Sequence, residues 1–198
     1  VSYFESLVAE YSGSKYAVAT DSCTNAIFLA LKYINGGDCV NVPKRTYISV
    51  PCSVIHAGYK IKFTDLDWSG RYALDPYPVI DSAQLFTENM YIKDTYYCVS
   101  FHSKKTLSIG RGGMVLTNDK DFVKWCAAAR YDGRESLYYN DITDINVIGW
   151  HMYMTPEQAV RGIEQFYKTP KNNLPLGSSN TYKIDLSTLK GFSKYIAV

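Results

Sequence analysis

The sequence predicts an α/β fold of three layers, in which helices lie on both sides of a mostly parallel sheet. The first observation behind this prediction is that short apolar segments alternate along the chain with segments of helical periodicity. The second is that 198 residues, 46% hydrophobic and 20% charged, suffice for one domain with a sizeable core. The third is that the chain becomes polar and irregular after Lys168. We therefore predict one domain over residues 1–166 and a short tail, or vestigial small domain, over residues 167–198.

The predicted strands share a short length and a high content of valine, isoleucine and tyrosine. They are "YAVAT" (16–20), "CVNVP" (39–43), "KIKFTDLD" (60–67), "PVIDSA" (78–83), "TYYCVSF" (95–101) and "GMVLTN" (113–118). The predicted helices lie in residues 4–12, 21–35, 46–57, 119–130 and 155–167. Gly13 is a plausible helix end, Thr155 and Pro156 form a helix start, and Pro51 is expected to interrupt the third helix early.

Composition and residue spacing disfavour several classes of protein. The net charge of +2 has no concentrated basic tract, which disfavours nucleic-acid binding, and the longest apolar run is too short to span a bilayer. The five cysteines are scattered without a CxxC pair, so we expect free thiols and a cytoplasmic protein. The three histidines lack ligand spacing, so no metal site is predicted. The chain begins at Val1 without a methionine and only three residues before the first predicted helix, which is compatible with an incomplete N-terminus.

Polar residues follow two of the predicted strands. In "TDSCTNA" a strand leads into a helix start, where free backbone N–H groups and the Thr24 hydroxyl favour an anion. Ordinary helix capping by Asp21 or Ser22 is the simpler interpretation of the same residues. Asp81 closes the apolar "PVI" run, and Gln84 follows it. A carboxylate there either caps the next turn or holds a cationic ring nitrogen.

The segment "SFHSKKTLSIGRGGMVLTND" places Lys104 and Lys105 before a glycine-rich turn. A solvated basic loop is one interpretation, and a lysine that binds its ligand covalently is the other. "GRGG" is not a Walker motif because no Gly-Lys-Ser/Thr follows. An anion site, an aspartate for a pyridinium nitrogen and an amine nucleophile together are the protein parts of a pyridoxal phosphate (PLP) site.

The sequence resembles the DegT/DnrJ/EryC1/StrS sugar aminotransferases, which have the aspartate aminotransferase fold. "VIDSAQ" resembles the family's Glu-Asp-Ala-Ala-Gln signature, and "SFHSKKTLSIGRGG" resembles Ser-Phe-x-x-x-Lys-x-Leu followed by Gly-Glu-Gly-Gly. "IGWHMYM" resembles its Gly-Tyr-Asn-Tyr-Arg-Met segment, and the likeness runs from about Phe4 to Phe166. The resemblance implies a homodimeric, PLP-dependent aminotransferase that moves an amino group from glutamate to a nucleotide-linked keto-sugar.

The resemblance also implies a role for each matching residue. Lys105 is the Schiff-base lysine, whereas Lys104 stands where the family tolerates a neutral residue. Asp81 pairs with the pyridinium nitrogen, and Gln84 approaches the ring hydroxyl. The remaining cofactor-binding residues are Cys23 (through its backbone), Thr24 and Ser100 for the phosphate, Tyr47 for stacking on the ring, and His151 in place of the asparagine that reaches the partner subunit's phosphate.

Three departures from the family pattern keep alternatives open. About one βαβ step, ~30 residues, is missing between "YALDP" and "PVIDSAQ". Only 32 residues follow Phe166, where the family builds a small domain, and Tyr153 replaces the family's arginine. A reduced, non-catalytic protein that holds the cofactor or binds a partner is therefore one alternative. A PLP-dependent sugar dehydratase is another, although the dehydratase variant of the family replaces the lysine that Lys105 matches.

Overall fold

Helices cover both faces of a mixed five-stranded sheet in the computed structural model, which describes residues 1–135 and 138–197. The helices are α1 (Ser2–Ser12), α2 (Cys23–Ile34), α3 (Ser49–His56), α4 (Lys120–Ala129) and α5 (Pro156–Phe166). The strands are β1 (Tyr16–Thr20), β2 (Cys39–Pro43), β3 (Lys60–Thr64), β4 (Tyr72–Ala73), β5 (Val79–Ser82), β6 (Tyr96–Ser100) and β7 (Gly113–Thr117). The predicted α/β class is confirmed.

The strand directions correct the prediction of a mostly parallel sheet. The larger sheet has the order β1-β7-β6-β5-β4, in which β5 and β6 pair in parallel and the other neighbours pair antiparallel. Strands β2 and β3 form a separate parallel pair. Strand β4 reaches β5 through residues 74–78, a connection short enough for an antiparallel hairpin, and β6 reaches β7 through the lysine loop, residues 101–112. The parallel pair β5 and β6 is joined by residues 83–95, which also contain no α-helix, so the absence of a crossover helix does not by itself set the direction of a strand.

Side chains alternate between two cores, one on each face of the sheet. Val18 of β1 and Val115 of β7 lie in the core that contains the buried residues of α2 and α4. Their neighbours Ala19 and Met114 lie in the core that contains α1 and part of α5. This alternation is the two-residue period of a strand. It confirms the predicted three-layer arrangement of helices, sheet and helices.

The helix starts follow from local chemistry. Ser22 begins α2, since its side chain accepts a hydrogen bond from the Asn25 N–H. Thr155 and Gln158 form a reciprocal capping box at the start of α5, with Pro156 in the first turn. Pro51 does not interrupt α3, because it lies in the first turn, where a backbone N–H has no partner within the helix.

The C-terminal segment packs against the sheet domain. Its regular structure within residues 167–197 consists of the 3-10 helices Ser179–Thr181, Leu186–Thr188 and Lys190–Tyr195. Leu186 and Phe192 are buried in the same core as α2, and Ile196 forms a parallel bridge with Ile61 of β3. Residue 198 of the predicted tail lies outside the described residues. The boundary at residue 166 stays a prediction.

None of the helices in the described ranges is long and apolar enough to cross a membrane.

Candidate active site

Asp81 is a buried carboxylate at the end of the parallel pair β5 and β6. Its side chain is held by donors on both oxygens: Tyr72 donates its hydroxyl to Oδ2 at 2.5 Å, and the Ala83 N–H donates to Oδ1 at 2.9 Å. Burial raises the pKa of Asp81, while these two hydrogen bonds lower it. Burial disfavours the charged form of the carboxylate and hydrogen-bond donors favour it. Protein donors thus replace the water that would otherwise stabilise the anion.

Lys105 lies on the loop between β6 and β7 and is half-buried, whereas its neighbour Lys104 is exposed. A turn fixes the backbone, since the Lys105 N–H donates to the carbonyl of His102 at 2.9 Å. The Lys105 Nζ donates to Oε1 of Gln84 at 3.2 Å. Desolvation lowers the pKa of Lys105, and the negative charge of Asp81 opposes that effect.

The amine of Lys105 and the carboxylate of Asp81 influence each other without touching. Each affects the pKa of the other, yet the ion pairs within 4.0 Å in the described part of the chain do not include this pair. Cys23 completes this buried neighbourhood: its Sγ lies 3.9 Å from Oδ1 of Asp81, and burial, followed by the Asp81 charge, raises the pKa of its thiol well above the ordinary value. We call Cys23, Asp81, Gln84 and Lys105 the inner group.

The start of α2 shows the capping that the sequence left as an alternative. Ser22 caps the helix, and Asp21 accepts hydrogen bonds from the Asn25 side chain and from Arg111. Thr24 shares a 2.8 Å hydrogen bond with Ser49, and Ser100 Oγ accepts from the His102 N–H at 3.4 Å. The phosphate-binding roles of Cys23, Thr24 and Ser100 stay predictions.

Gly113 explains how β7 comes so close to the start of α2. A Cβ at this position would lie 2.3 Å from the Cys23 backbone nitrogen and 2.3 Å from the Ser22 carbonyl carbon. Both are backbone atoms, which cannot swing aside. Glycine is therefore needed where the lysine loop returns to the sheet, and it sets the separation between β7 and the first turn of α2.

Tyr47 and His151 lie outside the inner group. Tyr47 is 59% exposed and precedes α3. His151 is exposed, its Nδ1 lies 3.1 Å from Oδ2 of Asp132, and its ring packs edge-on against Tyr153. The described contacts do not connect His151 with the inner group. We call Tyr47 and His151 the outer pair.

Sequence reasoning missed Tyr182, which the C-terminal segment brings to the inner group. Gln84 donates its side-chain Nε2 to the Tyr182 hydroxyl at 2.7 Å, and its backbone carbonyl accepts from the Leu176 N–H at 2.8 Å. Burial raises the pKa of Tyr182, and Asp81 and Tyr47 act in the same direction. The tail thus supplies one wall of the site. No local motif indicates this contact, which spans 98 positions of the chain.

Tyr72 was missed for a different reason. It lies on a strand of two residues, within a link that the sequence showed to be unusually short. Pairing with β5 places Tyr72 directly opposite Asp81. The deletion marked the region as unusual, but the pattern "GRYALDP" contains no signal for a donor to a carboxylate.

An α/β fold that brings a half-buried lysine and a buried carboxylate into one neighbourhood is typical of one class, the α/β enzymes that depend on PLP. Comparison with known proteins is consistent with this class. The family model of the DegT/DnrJ/EryC1/StrS aminotransferase family matches residues 1–81 and 92–192. The chain belongs to this family, whose members depend on PLP.

Curated relatives show the same likeness at modest identity. The chain is 28% identical to the spore coat polysaccharide biosynthesis protein SpsC of Bacillus subtilis, over 83% of this chain and 56% of that protein. It is 27% identical to GDP-perosamine synthase of Caulobacter vibrioides, over 85% of this chain and 57% of that protein. The chain therefore spans little more than half the length of these relatives.

Among solved structures, NtdA from Bacillus subtilis, described with bound cofactor PMP, shares the fold with a TM-score of 0.66 and 19% identity. The superposition covers 83% of this chain and 47% of NtdA.

Proposed function

We propose that this chain is the cofactor-binding part of a PLP-dependent aminotransferase that acts on a nucleotide-linked keto-sugar with glutamate as the amino donor. The observation that carries the proposal is the inner group: a half-buried amine and a buried carboxylate that are electrostatically coupled without being paired. A direct ion pair would neutralise both groups. Since no ion pair within 4.0 Å joins them in the described part of the chain, we propose that the carboxylate binds a cationic ring nitrogen and that the amine binds an aldehyde.

The residues present fit the cofactor chemically. Lys105 provides a primary amine whose pKa is lowered by desolvation, so that more of it is neutral and nucleophilic near neutral pH. Asp81 provides a buried anion with donors on both oxygens. Gln84 provides an amide whose carbonyl already contacts the lysine. Cys23, Thr24 and Ser100 are proposed to bind the phosphate, and Tyr47 is proposed to stack on the ring.

When bound, PLP supplies an aldehyde for the amino group and an electron-accepting ring. Asp81 is proposed to keep the ring nitrogen protonated by its charge, which favours electron acceptance. The Lys105 amine, once released, is proposed to take the proton from the Cα of the donor amino acid and to deliver it to C4′ of the cofactor. Lys104 has no part in these steps because it is exposed.

Family membership and the PMP-containing structural neighbour support the cofactor, and the relatives' names support the substrate class. SpsC is named for polysaccharide biosynthesis, and the Caulobacter relative is named GDP-perosamine synthase. We extend these names to a nucleotide-linked keto-sugar for this chain as a proposal. We also propose a division into a PLP-binding domain, residues 1–166, and a C-terminal segment.

A homodimer in the cytoplasm is the assembly and location that we propose. The outer pair supports a dimer, because exposed Tyr47 and His151 need a further surface to enclose the ligand. Free cysteines support a reducing compartment: Cys23, Cys98 and Cys126 are buried as thiols.

The test is spectroscopic. Protein incubated with PLP is expected to turn yellow and to be bleached by borohydride, which fixes the cofactor to the chain. Lys105→Ala is expected to abolish the fixed adduct, whereas the matched control Lys104→Ala retains it. A colourless wild-type protein, or an adduct that survives Lys105→Ala, would contradict the proposal.

Addition of glutamate separates turnover from cofactor holding. Conversion of the bound cofactor to its amino form, with release of 2-oxoglutarate, is expected for an aminotransferase. Binding without that conversion would favour the non-catalytic alternative. Loss of water from the keto-sugar without gain of nitrogen would favour the dehydratase.

A further inference from the structure

Three buried polar side chains form a line that ends on Asp81. The Tyr72 hydroxyl lies 2.5 Å from Oδ2 of Asp81, and the Thr46 hydroxyl lies 2.6 Å from the Tyr72 hydroxyl. All three residues are at most 6% exposed. We call Thr46, Tyr72 and Asp81 the hydroxyl relay. Such a network inside an apolar core is costly unless each member has a partner, and here each does.

The direction of the hydrogen bonds follows from the carboxylate. An ionised Asp81 only accepts, so the Tyr72 proton points at Oδ2. The Tyr72 oxygen is then free to accept, and Thr46 donates to it. Donation from Thr46 polarises the Tyr72 hydroxyl and strengthens its bond to the anion.

The relay joins parts of the chain that the proposed cofactor must contact at once. Tyr72 lies on β4, directly opposite Asp81 on β5. Thr46 immediately precedes Tyr47, the proposed stacking residue, at the entry to α3. The β4–β5 hairpin lies where the resemblance leads one to expect a further strand and helix. The relay therefore fixes the loop of Tyr47 relative to Asp81 across this shortened link.

We propose that Tyr72 is a positioning residue that holds and orients the Asp81 carboxylate for the cationic ring nitrogen, and that Thr46 orients Tyr72. This inference rests on the proposed function. The groups around Asp81 affect its pKa. Desolvation raises the pKa, while the hydrogen bonds from Tyr72, Ala83 and Cys23 and the charge of Lys105 lower it. Of the side-chain donors, Tyr72 is the one in close contact.

In the opposite interpretation, the Tyr72 hydroxyl blocks Asp81 from the ring nitrogen. That interpretation predicts tighter PLP binding when the hydroxyl is removed. A carboxylate has about four acceptor positions. Tyr72 and the Ala83 N–H occupy one on each oxygen, and the Cys23 thiol lies at the longer distance of 3.9 Å. The remaining acceptor positions can take a further donor, so a ring nitrogen can bind without replacing the Tyr72 hydroxyl as a donor.

The first experiment uses the protein without cofactor. The pKa of Asp81 is measured from its carboxyl carbon resonance in the wild type, Tyr72→Phe and Thr46→Val. We expect the pKa to rise in Tyr72→Phe, because a donor to the charged form is lost, and to rise less in Thr46→Val. Tyr96→Phe is the matched control, since Tyr96 donates to the carboxylate of Asp119 at 2.7 Å, away from the site. It should leave Asp81 unchanged.

The second experiment is an equilibrium titration with PLP. Tyr72→Phe is expected to bind about tenfold more weakly, as loss of a hydrogen bond to a charged group implies. Thr46→Val should weaken binding less, and Tyr96→Phe should not. Unchanged Asp81 titration in Tyr72→Phe, or tighter PLP binding by that variant, overturns the proposal. If Tyr72→Phe does not fold, a shift in Thr46→Val decides in its favour and no shift decides against it.

The two experiments separate this inference from the proposed function. A raised Asp81 pKa in Tyr72→Phe together with a wild type that binds no PLP would retain the relay and refute the cofactor. A wild type that binds PLP, together with a Tyr72→Phe variant that behaves identically, would retain the cofactor and refute the positioning role of Tyr72.

Discussion

The inner group and the outer pair differ in how completely one chain positions them. Asp81, Gln84 and Lys105 are held by hydrogen bonds from three separate segments, including the C-terminal one. Tyr47 is largely exposed, and His151 pairs with Asp132 at the surface. The difference indicates that a single copy of this chain already contains the chemistry proposed for the cofactor. The surfaces that would enclose a substrate are the part that one copy leaves open.

The largest expected effect tests the inner group directly. Asp81→Asn keeps the shape of the side chain but removes its charge, so we expect PLP binding to weaken at least about thirtyfold. A spectroscopic titration measures this change. Asp38→Asn, at an exposed aspartate, serves as the control and should bind normally. Equal affinities for the two variants would contradict the role of Asp81.

The same substitution sharpens the coupling between Asp81 and Lys105. Desolvation already lowers the pKa of Lys105, and the Asp81 charge partly offsets this. A lowered pKa means that the amine becomes neutral at a lower pH than an ordinary lysine. Removal of the charge should therefore move the midpoint of borohydride-trapped adduct formation to a still lower pH in Asp81→Asn. A midpoint that moves upward would contradict the coupling.

The next largest expected effect is on folding stability, through the close packing of β7 against the start of α2. Gly113→Ala would force a Cβ against the backbone of Ser22 and Cys23, so we expect a loss of about 2–3 kcal/mol in the free energy of unfolding. Gly112→Ala is the matched control. Its Cβ would meet the ends of the flexible side chains of Ile109 and Met154, so we expect a loss below about 1 kcal/mol. Denaturant unfolding of both variants measures the difference.

The contribution of the C-terminal segment should be smaller. Tyr182→Phe removes the hydroxyl that accepts from Gln84, so we expect about fivefold weaker PLP binding. Tyr3→Phe is the control, because the Tyr3 hydroxyl bonds to Tyr167 at the surface. If both variants bind like the wild type, Tyr182 belongs to the packing of the tail and not to the site.

The smallest effect is expected in the outer pair. His151→Asn introduces the residue type that the resemblance leads one to expect, and it breaks the contact with Asp132. We expect PLP binding to one copy of the chain to change by less than about twofold, because the described contacts do not connect His151 with the inner group and a surface contact contributes little. A loss above tenfold in dilute protein would show that His151 already belongs to the inner site.

The sequence predicted what repeats locally. Short apolar segments located β1, β6 and β7, and helical spacing together with Thr155 and Pro156 located α5. The position of Asp81 at a strand end was also visible, because an apolar run stops there. Burial periodicity is a property of neighbouring residues, and so a single sequence contains it.

What the sequence did not show depends on distant partners. The direction of β7 depends on the path of the loop that connects it to β6, which the strand pattern itself does not report. Tyr182 meets Gln84 across 98 positions, within a segment that had no regular period. Tyr72 meets Asp81 through a strand of two residues, too short to produce a pattern. Such contacts become visible only when the topology is known.

The attachment of the C-terminal segment to Gln84 has a practical consequence. Leu176 and Tyr182 bind the backbone and the side chain of the same glutamine, while the Leu176 side chain is 52% exposed and is followed by Gly177. A ligand that competes for the Gln84 amide must loosen this strap, whereas one that leaves the amide in place keeps it closed. The rate at which a chymotrypsin-like protease cuts after Leu176 is therefore expected to rise with ligands that compete for the Gln84 amide and to stay unchanged with ligands that leave the amide in place.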